Sequence, residues 1–271
     1  MTDGSGPLNG APDGPEGYDT CCAPILAPFT GELLDAVDLR PGDTVLDLAC
    51  ATGFAARAAA ALVGPAGRVS GADNDAESIR VARDRHPRLY PDIEFTVAPA
   101  GHLPYDTAAF DAVVCQQGAR LFPGLDDALT EAARVTRPDG RFAATVWAPV
   151  DRQPYFLAQQ RALHEYGGPD ALRRFARTFA VTAEQLTAGL RGAGYTGTAH
   201  REVTFGIRLP PLDGYARAHL SALWGGVLRP AGDQDVLGRA AALVREQLTE
   251  HLADDGTATL PFTAVLVTAV R

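Results

Sequence analysis

The sequence predicts an α/β fold: a mostly parallel sheet with helices on both faces. Three observations carry this. Between residues 41 and 150, apolar runs of strand length alternate with helical stretches, the pattern of βαβ units. Turn signals punctuate them, among them Arg40-Pro41-Gly42-Asp43 and Arg137-Pro138-Asp139-Gly140. The 271 residues, 46% hydrophobic, suffice for one such domain with a small cap.

The elements follow in order. Residues 1–16 are rich in Gly, Pro, Asp and Asn and read as a mobile tail, with too little apolar surface to offset ordering. An amphipathic stretch covers Ile25–Leu39. Thr44–Ala49 is a buried strand, Phe54–Val63 an alanine-rich helix, Arg68–Asp73 a strand and Ala76–Arg85 a helix. Ile93–Val97 and Phe110–Gln116 are strands, Leu125–Val135 is a helix and Arg141–Trp147 a strand. The rhythm then changes. Tyr155–Tyr166 and Pro169–Phe179 read as helices, and Thr182–Ala193 as a helix opened by a Thr182/Gln185 capping box. His200–Leu209 alternates like a strand. Leu212–Gly225 and Asp233–Ala253 read as helices, and Thr259–Val270 closes the chain as an apolar strand.

Composition excludes several functions. The net charge of -9 argues against a phosphate-binding face, so no nucleic-acid partner is expected. There is no lysine, which removes a Walker-type P-loop and Schiff-base chemistry. No signal-like or membrane-length apolar stretch occurs, so no membrane partner is expected. Cys21, Cys22, Cys50 and Cys115 lack metal-ligand spacing and read as reduced thiols in a cytoplasmic protein, with no metal expected.

The chemistry concentrates at Val45-Leu46-Asp47-Leu48-Ala49-Cys50-Ala51-Thr52-Gly53, a buried strand running through small residues into a helix. Small residues let a ligand approach the backbone, and the helix N-terminus offers unpaired N–H groups. Twenty residues past Gly53, Asp73 ends the second strand, where a carboxylate can accept ribose hydroxyls. G-x-G-x-x-G is absent. Asp47 with small residues at 49, 51 and 53 resembles instead the D-x-G-x-G-x-G signature of class I S-adenosylmethionine-dependent methyltransferases. Leu103-Pro104-Tyr105, Phe110–Gly118 and Val135–Phe142 are similar to that family's fourth- and fifth-strand regions. Gly17-Tyr18-Asp19, Pro28-Phe29 and Pro261–Ala264 resemble the UbiE-like small-molecule subgroup.

The resemblance implies a Rossmann-like, doubly wound, seven-stranded sheet of order 3-2-1-4-5-7-6, its last strand antiparallel, with a helical cap. It divides the chain into a lid helix (17–40), the cofactor-binding core (41–150), a cap insertion (151–182), a core helix and strand (183–209), a second cap insertion (210–258) and the final strand (259–271). It implies S-adenosyl-L-methionine as cofactor and S-adenosyl-L-homocysteine as product. Ala49, Ala51 and Gly53 would pass under the methionine moiety and Asp47 would organise their loop. Asp73 would bind the ribose, with Asn74 and Ala100 beside the adenine. Gln116 and Gln117 would sit near the methyl group, and Tyr18 would close the site from the lid, its ring facing the sulfonium. Alanine at 49 and 51, and Pro99 where many relatives carry an aspartate, depart from the family pattern.

The expected reaction is in-line methyl transfer to a small molecule of natural-product biosynthesis, driven by positioning. The alternative is a cyclase or isomerising enzyme that keeps the cofactor unconsumed. Arg120, Tyr155, His219 and Trp224 are the expected acceptor-binding residues, and Tyr18, Gln117 and His219 the expected catalytic set. The two insertions should roof the carboxyl edge of the sheet. A homodimer is compatible with the sequence.

Overall fold

The computed structural model describes residues 14–85, 92–228 and 235–271. The tail expected at 1–16 lies largely outside them, and so does His86. The chain opens with one long helix, α1 (Pro15–Ala36). The alternating core follows: β1 (Thr44–Leu48), α2 (Phe54–Val63), β2 (Arg68–Asp73), α3 (Ala76–Arg85), β3 (Ile93–Val97), β4 (Phe110–Gln116), α4 (Leu125–Val135) and β5 (Thr136–Trp147). Helices α5 (Pro154–Tyr166), α6 (Gly168–Arg177) and α7 (Ala183–Gly192) come next. They lead to β6 (Thr196–Leu209), α8 (Leu212–Trp224), α9 (Val236–Gln247) and β7 (Ala258–Val270). The seven strands lie in the order β3-β2-β1-β4-β5-β7-β6, and β7 runs antiparallel to β5.

Several boundaries differ from the sequence expectation: the helix expected over Asp233–Ala253 ends at Gln247, and three other differences have a local reason. α1 starts ten residues before Ile25, because its first turns carry small and polar residues without an apolar period. β5 gains Thr136, which pairs with Phe110; residues 137–140 then bulge outward, with Asp139 at φ 62°, before Arg141 resumes the ladder opposite Ala112. β6 starts four residues before His200. Its first residues are polar and exposed, so no alternation marks them, yet the Thr196 hydroxyl donates to the Val270 carbonyl at 3.2 Å. The capping box at Thr182 and Gln185 forms in both directions.

The chain divides into two units: the described parts of 1–26, 149–176 and 204–262, and the sheet unit of 27–148, 177–203 and 263–271. In the sheet unit, Leu46, Leu48, Val113, Cys115, Phe142, Ala144 and Val146 form one apolar face. Leu129, Ala132 and Ala133 of α4 and Leu186 and Leu190 of α7 pack against it. The second half of α1 serves the opposite face, where Phe29 meets Trp147 edge-on at 5.3 Å. The helical unit is centred on the aromatic residues Tyr155, Phe156, Tyr215 and Phe262. Among the described residues, no helix is long and apolar enough to cross a membrane.

Candidate active site

The loop after β1 has an unusual backbone. Ala49, Ala51 and Gly53 take φ of 60°, 48° and 81°. Alternate residues therefore lie in the left-handed region, and two of them carry a Cβ. Each such alanine costs about 1–2 kcal/mol, so the loop requires partners that hold it. Two carboxylates supply them. Asp73 Oδ2 accepts the Ala51 N–H at 2.9 Å, and its Oδ1 accepts the Asp75 N–H at 2.9 Å. Asp47 Oδ2 accepts the Ala56 N–H at 2.8 Å. The N-cap of α2 is Gly53, which has no side chain to cap with. Asp47 thus serves α2 as a cap from within β1, satisfying a first-turn donor.

Close approach explains the glycines nearby. A Cβ on Gly53 would lie 2.5 Å from the Phe95 ring, and one on Gly118 would lie 2.5 Å from the Ala49 methyl. The end of β4 therefore meets the loop after β1, as the carboxyl edge of such a sheet requires.

Burial sets the electrostatics. It pushes the Asp47 carboxyl up to about 7; the charge of Asp73 adds to this, while the Ala56 N–H and Arg57 oppose it. Burial also raises Asp73, against the N–H groups of Asp75 and Ala51. Two buried carboxyls beside one loop leave a site that gains from a cation. The thiols at Cys50 and Cys115 are pushed up as well, Cys115 to about 12, so both behave as buried apolar groups and not as nucleophiles.

Beside the loop lies a cavity of about 240 Å³. Its wall includes Ala49, Asp73, Asn74 and Ala100, four of the residues expected at the cofactor, together with Pro99. Leu121, Phe122, Pro123 and Asp127 also line it and were missed from the sequence. The only signal there is the Phe122-Pro123-Gly124 turn, and the 57% exposure of Leu121 is a tertiary fact.

Gln116 and Gln117 differ despite adjacency. Gln116 Oε1 accepts the Thr30 hydroxyl at 3.0 Å. Gln117 sits at φ 57°, 5% exposed, and both atoms of its amide lack a hydrogen-bond partner. The Thr145 hydroxyl, whose backbone carbonyl accepts the Gln117 N–H at 3.0 Å, also lacks one. Buried polar groups are nearly always paired, so these three atoms at the end of β4 are exceptions. Arg120 follows, half-buried, in a short 3-10 turn.

In the helical unit, Tyr18 is half-buried on α1. Tyr155 of α5 and His219 of α8 are brought together, with the Tyr155 hydroxyl 3.3 Å from His219 Nδ1. They sit in the aromatic core, Tyr155 wholly buried and His219 2% exposed. Ring packing seals Tyr155 from any opening, so the expectation that it lines an open pocket is corrected; His219 lies beside it with its Nε2 edge left unpaired. Burial holds His219 down at about 3, so it stays neutral and is a weak proton acceptor near pH 7. Trp224, later on α8, packs on Phe175 of α6 at 5.8 Å. Among the described residues, no cluster of three or more metal-ligating side chains occurs.

The site fits the cofactor implied by the resemblance. The left-handed loop turns its backbone toward the cavity at Ala49, which is part of the cavity wall. Each Asp73 oxygen keeps a lone pair for a hydroxyl, and the paired carboxyls suit a molecule bearing an ammonium and a sulfonium.

Comparison with known proteins agrees. Residues 45–140 match the family model described as a methyltransferase domain. The demethylmenaquinone methyltransferase of Streptomyces avermitilis is 34% identical over 192 residues, 65% of this chain and 78% of that protein. The nocamycin O-methyltransferase of Saccharothrix syringae is 29% identical over 263 residues, 90% and 91% of the two chains. Among solved structures, the YcgJ protein of Bacillus subtilis shares the fold with a TM-score of 0.58 at 19% identity, over 89% of this chain and 97% of its own. With the strand order, the two aspartates and the small-residue loop in place, the chain belongs to the class I S-adenosylmethionine-dependent methyltransferases of the UbiE-like small-molecule type, and S-adenosylmethionine is its cofactor.

Proposed function

We propose that this protein methylates an oxygen of a small molecule in natural-product biosynthesis. One observation carries the reading. Similarity to the nocamycin O-methyltransferase runs through 90% of the chain, whereas the match to the demethylmenaquinone enzyme stops at 65%. A relative shared over nearly the whole length includes the helical segments, which choose the acceptor in this reading.

The cofactor supplies an electrophilic methyl group. The chain's residues bind, orient and exclude water. Ala49, Ala51 and Gly53 hold the amino-acid end through backbone groups, with Asp47 organising the loop. Asp73 takes the ribose diol, and Asn74 and Ala100 flank the adenine. Gln117 offers its unpaired amide near the methyl group, and Gln116 ties β4 to α1 through Thr30. In the helical unit, His219 and Trp224 serve the acceptor, with Tyr155 packed against the His219 ring. Neither His219 nor Trp224 is poised to remove a proton at neutral pH, His219 because burial holds it at about 3. The acceptor is therefore one that ionises readily, a phenol or an enol, in place of an aliphatic alcohol.

The test is incubation with methyl-labelled S-adenosylmethionine and a panel of phenols, enols and 1,4-naphthoquinols. Formation of S-adenosylhomocysteine with the label in an ether carbon is the expected result. Label on a ring carbon of the naphthoquinol would move the chain to the quinone type. An isomerised acceptor with the cofactor unconsumed would establish the cyclase alternative.

A further inference from the structure

Helices α5 and α8 each direct a polar side chain into the aromatic core of the helical unit. Gln159 is 1% exposed and His219 2% exposed. The Gln159 amide nitrogen lies 2.7 Å from His219 Nδ1, with the Tyr155 hydroxyl near the same atom. Tyr155 stands one turn before Gln159, and Tyr215 one turn before His219. The Tyr215 and His219 rings stack at 10° and 5.6 Å. The Tyr215 hydroxyl is already engaged, donating to the Cys21 carbonyl at 2.6 Å.

An amide N–H can only donate, so the ring nitrogen that receives it carries no proton. A neutral imidazole then holds its proton on Nε2. Turning the amide over would put both its N–H donors where Oε1 now lies without a partner, whereas at present the amide nitrogen faces His219 Nδ1 and the Tyr155 oxygen together. The present arrangement is the cheaper. Nε2 makes no hydrogen bond among the described residues. A second donor on the same helix, the buried Trp224 Nε1–H, also lacks a partner. The Trp224 donor is sealed, whereas His219 Nε2 is not one of the sealed atoms and stays reachable by a ligand that would pair it.

We propose that Gln159 is a positioning residue that fixes His219 as the Nε2–H tautomer, and that this N–H donates to a carbonyl, ether or phenolate oxygen of the acceptor. His219 then recognises an oxygen lone pair and leaves proton removal to other groups. Burial alone keeps the ring neutral, and no charged side chain contributes. The inference rests on the reading above that the helical unit takes the acceptor.

The experiment is a long-range ¹H–¹⁵N imidazole spectrum of the uniformly labelled full chain at pH 7, with His219→Asn identifying the resonances. The proposal expects His219 with Nε2 protonated and Nδ1 bare, unchanged down to pH 5. An Nδ1–H tautomer or an imidazolium would overturn it. Addition of 2-hydroxyacetophenone, a phenol beside a carbonyl, should shift the Nε2–H resonance; no shift up to the probe's solubility would overturn the donor role. Gln159→Leu should mix the tautomers and weaken that probe about tenfold, and Gln159→Glu should convert the ring to the Nδ1–H form. An unaltered tautomer in a folded Gln159→Leu protein would reject the positioning role. S-adenosylhomocysteine binding, measured by calorimetry on the same samples, reports separately on the methyltransferase reading.

Discussion

The loop at Ala49–Gly53 and the Gln159–His219 pair both disfavour the charged form of a titratable group by burial, yet they are built differently. At the loop, burial raises an acid: Asp47 titrates at about 7, and backbone N–H groups are its support. At the pair, burial lowers a base: His219 titrates at about 3, and side chains support it. The loop is assembled from residues within 27 positions, Asp47 to Asp73, whereas the pair joins residues 60 apart. Backbone chemistry makes the first site tolerant of side-chain identity, which explains how alanine replaces glycine there. The second site depends on particular side chains and tolerates little.

The largest effect should come from Asp73→Ala. It removes the acceptor of the Ala51 and Asp75 N–H groups together with the proposed ribose contact. Charged hydrogen bonds contribute about 1.5–3 kcal/mol each, so S-adenosylhomocysteine affinity should fall about 100-fold. An unchanged calorimetric Kd would mean that the carboxylate serves the loop alone.

Asp47→Asn should separate stability from function. The carboxyl titrates near 7 when folded and near its ordinary 3.8 when unfolded. The folded chain binds this proton more tightly, so the group's contribution is full below about pH 4 and is lost as pH rises through 7. The amide retains an oxygen for the Ala56 N–H and avoids that loss. The variant should gain about 1–3 kcal/mol at pH 8, with the advantage closing toward pH 5, as denaturant melts at the two values would read. Its cofactor affinity should drop about tenfold, because a negative charge beside the loop is removed. In the parent chain, affinity should weaken as pH falls below 7.

Tyr215→Phe probes the other region. It removes the 2.6 Å bond to the Cys21 carbonyl while leaving the ring stacked on His219. A loss of about 0.5–1.5 kcal/mol in stability is expected, with S-adenosylhomocysteine affinity unchanged. A matching loss of cofactor affinity would show that the two regions are energetically coupled.

The smallest effect is that of Ala51→Gly. Relief of the left-handed strain, about 1–2 kcal/mol, is partly offset by the added freedom of the unfolded chain, about 0.5–1 kcal/mol. A net gain of about 0.5 kcal/mol should appear as a small rise in Tm. A fall would show that the alanine methyl packs usefully.

The bounds of β2, β3 and β4 were legible because each is a compact apolar run closed by turn residues or Asp73. Asp47 and Asp73 were legible as well, since their spacing around small residues is a local pattern. The start of β6 was not, because a strand exposed on both faces carries no alternation.

By itself, then, the sequence determined the alternating α/β order, the strand-to-helix loop and its two carboxylates, all of which follow from periodicities and spacings within a few turns of chain. Only the tertiary structure decided that Ala49 and Ala51 lie at positive φ, because alanine's intrinsic preference points the other way and is overridden by hydrogen bonds from remote strands. It alone decided that Leu121–Pro123 wall the cavity, that the Gln117 amide is buried without a partner, and that Gln159 meets His219. Such contacts join helices and loops far apart in the chain, and a one-dimensional pattern carries no signal for which side chains the packing will bring face to face.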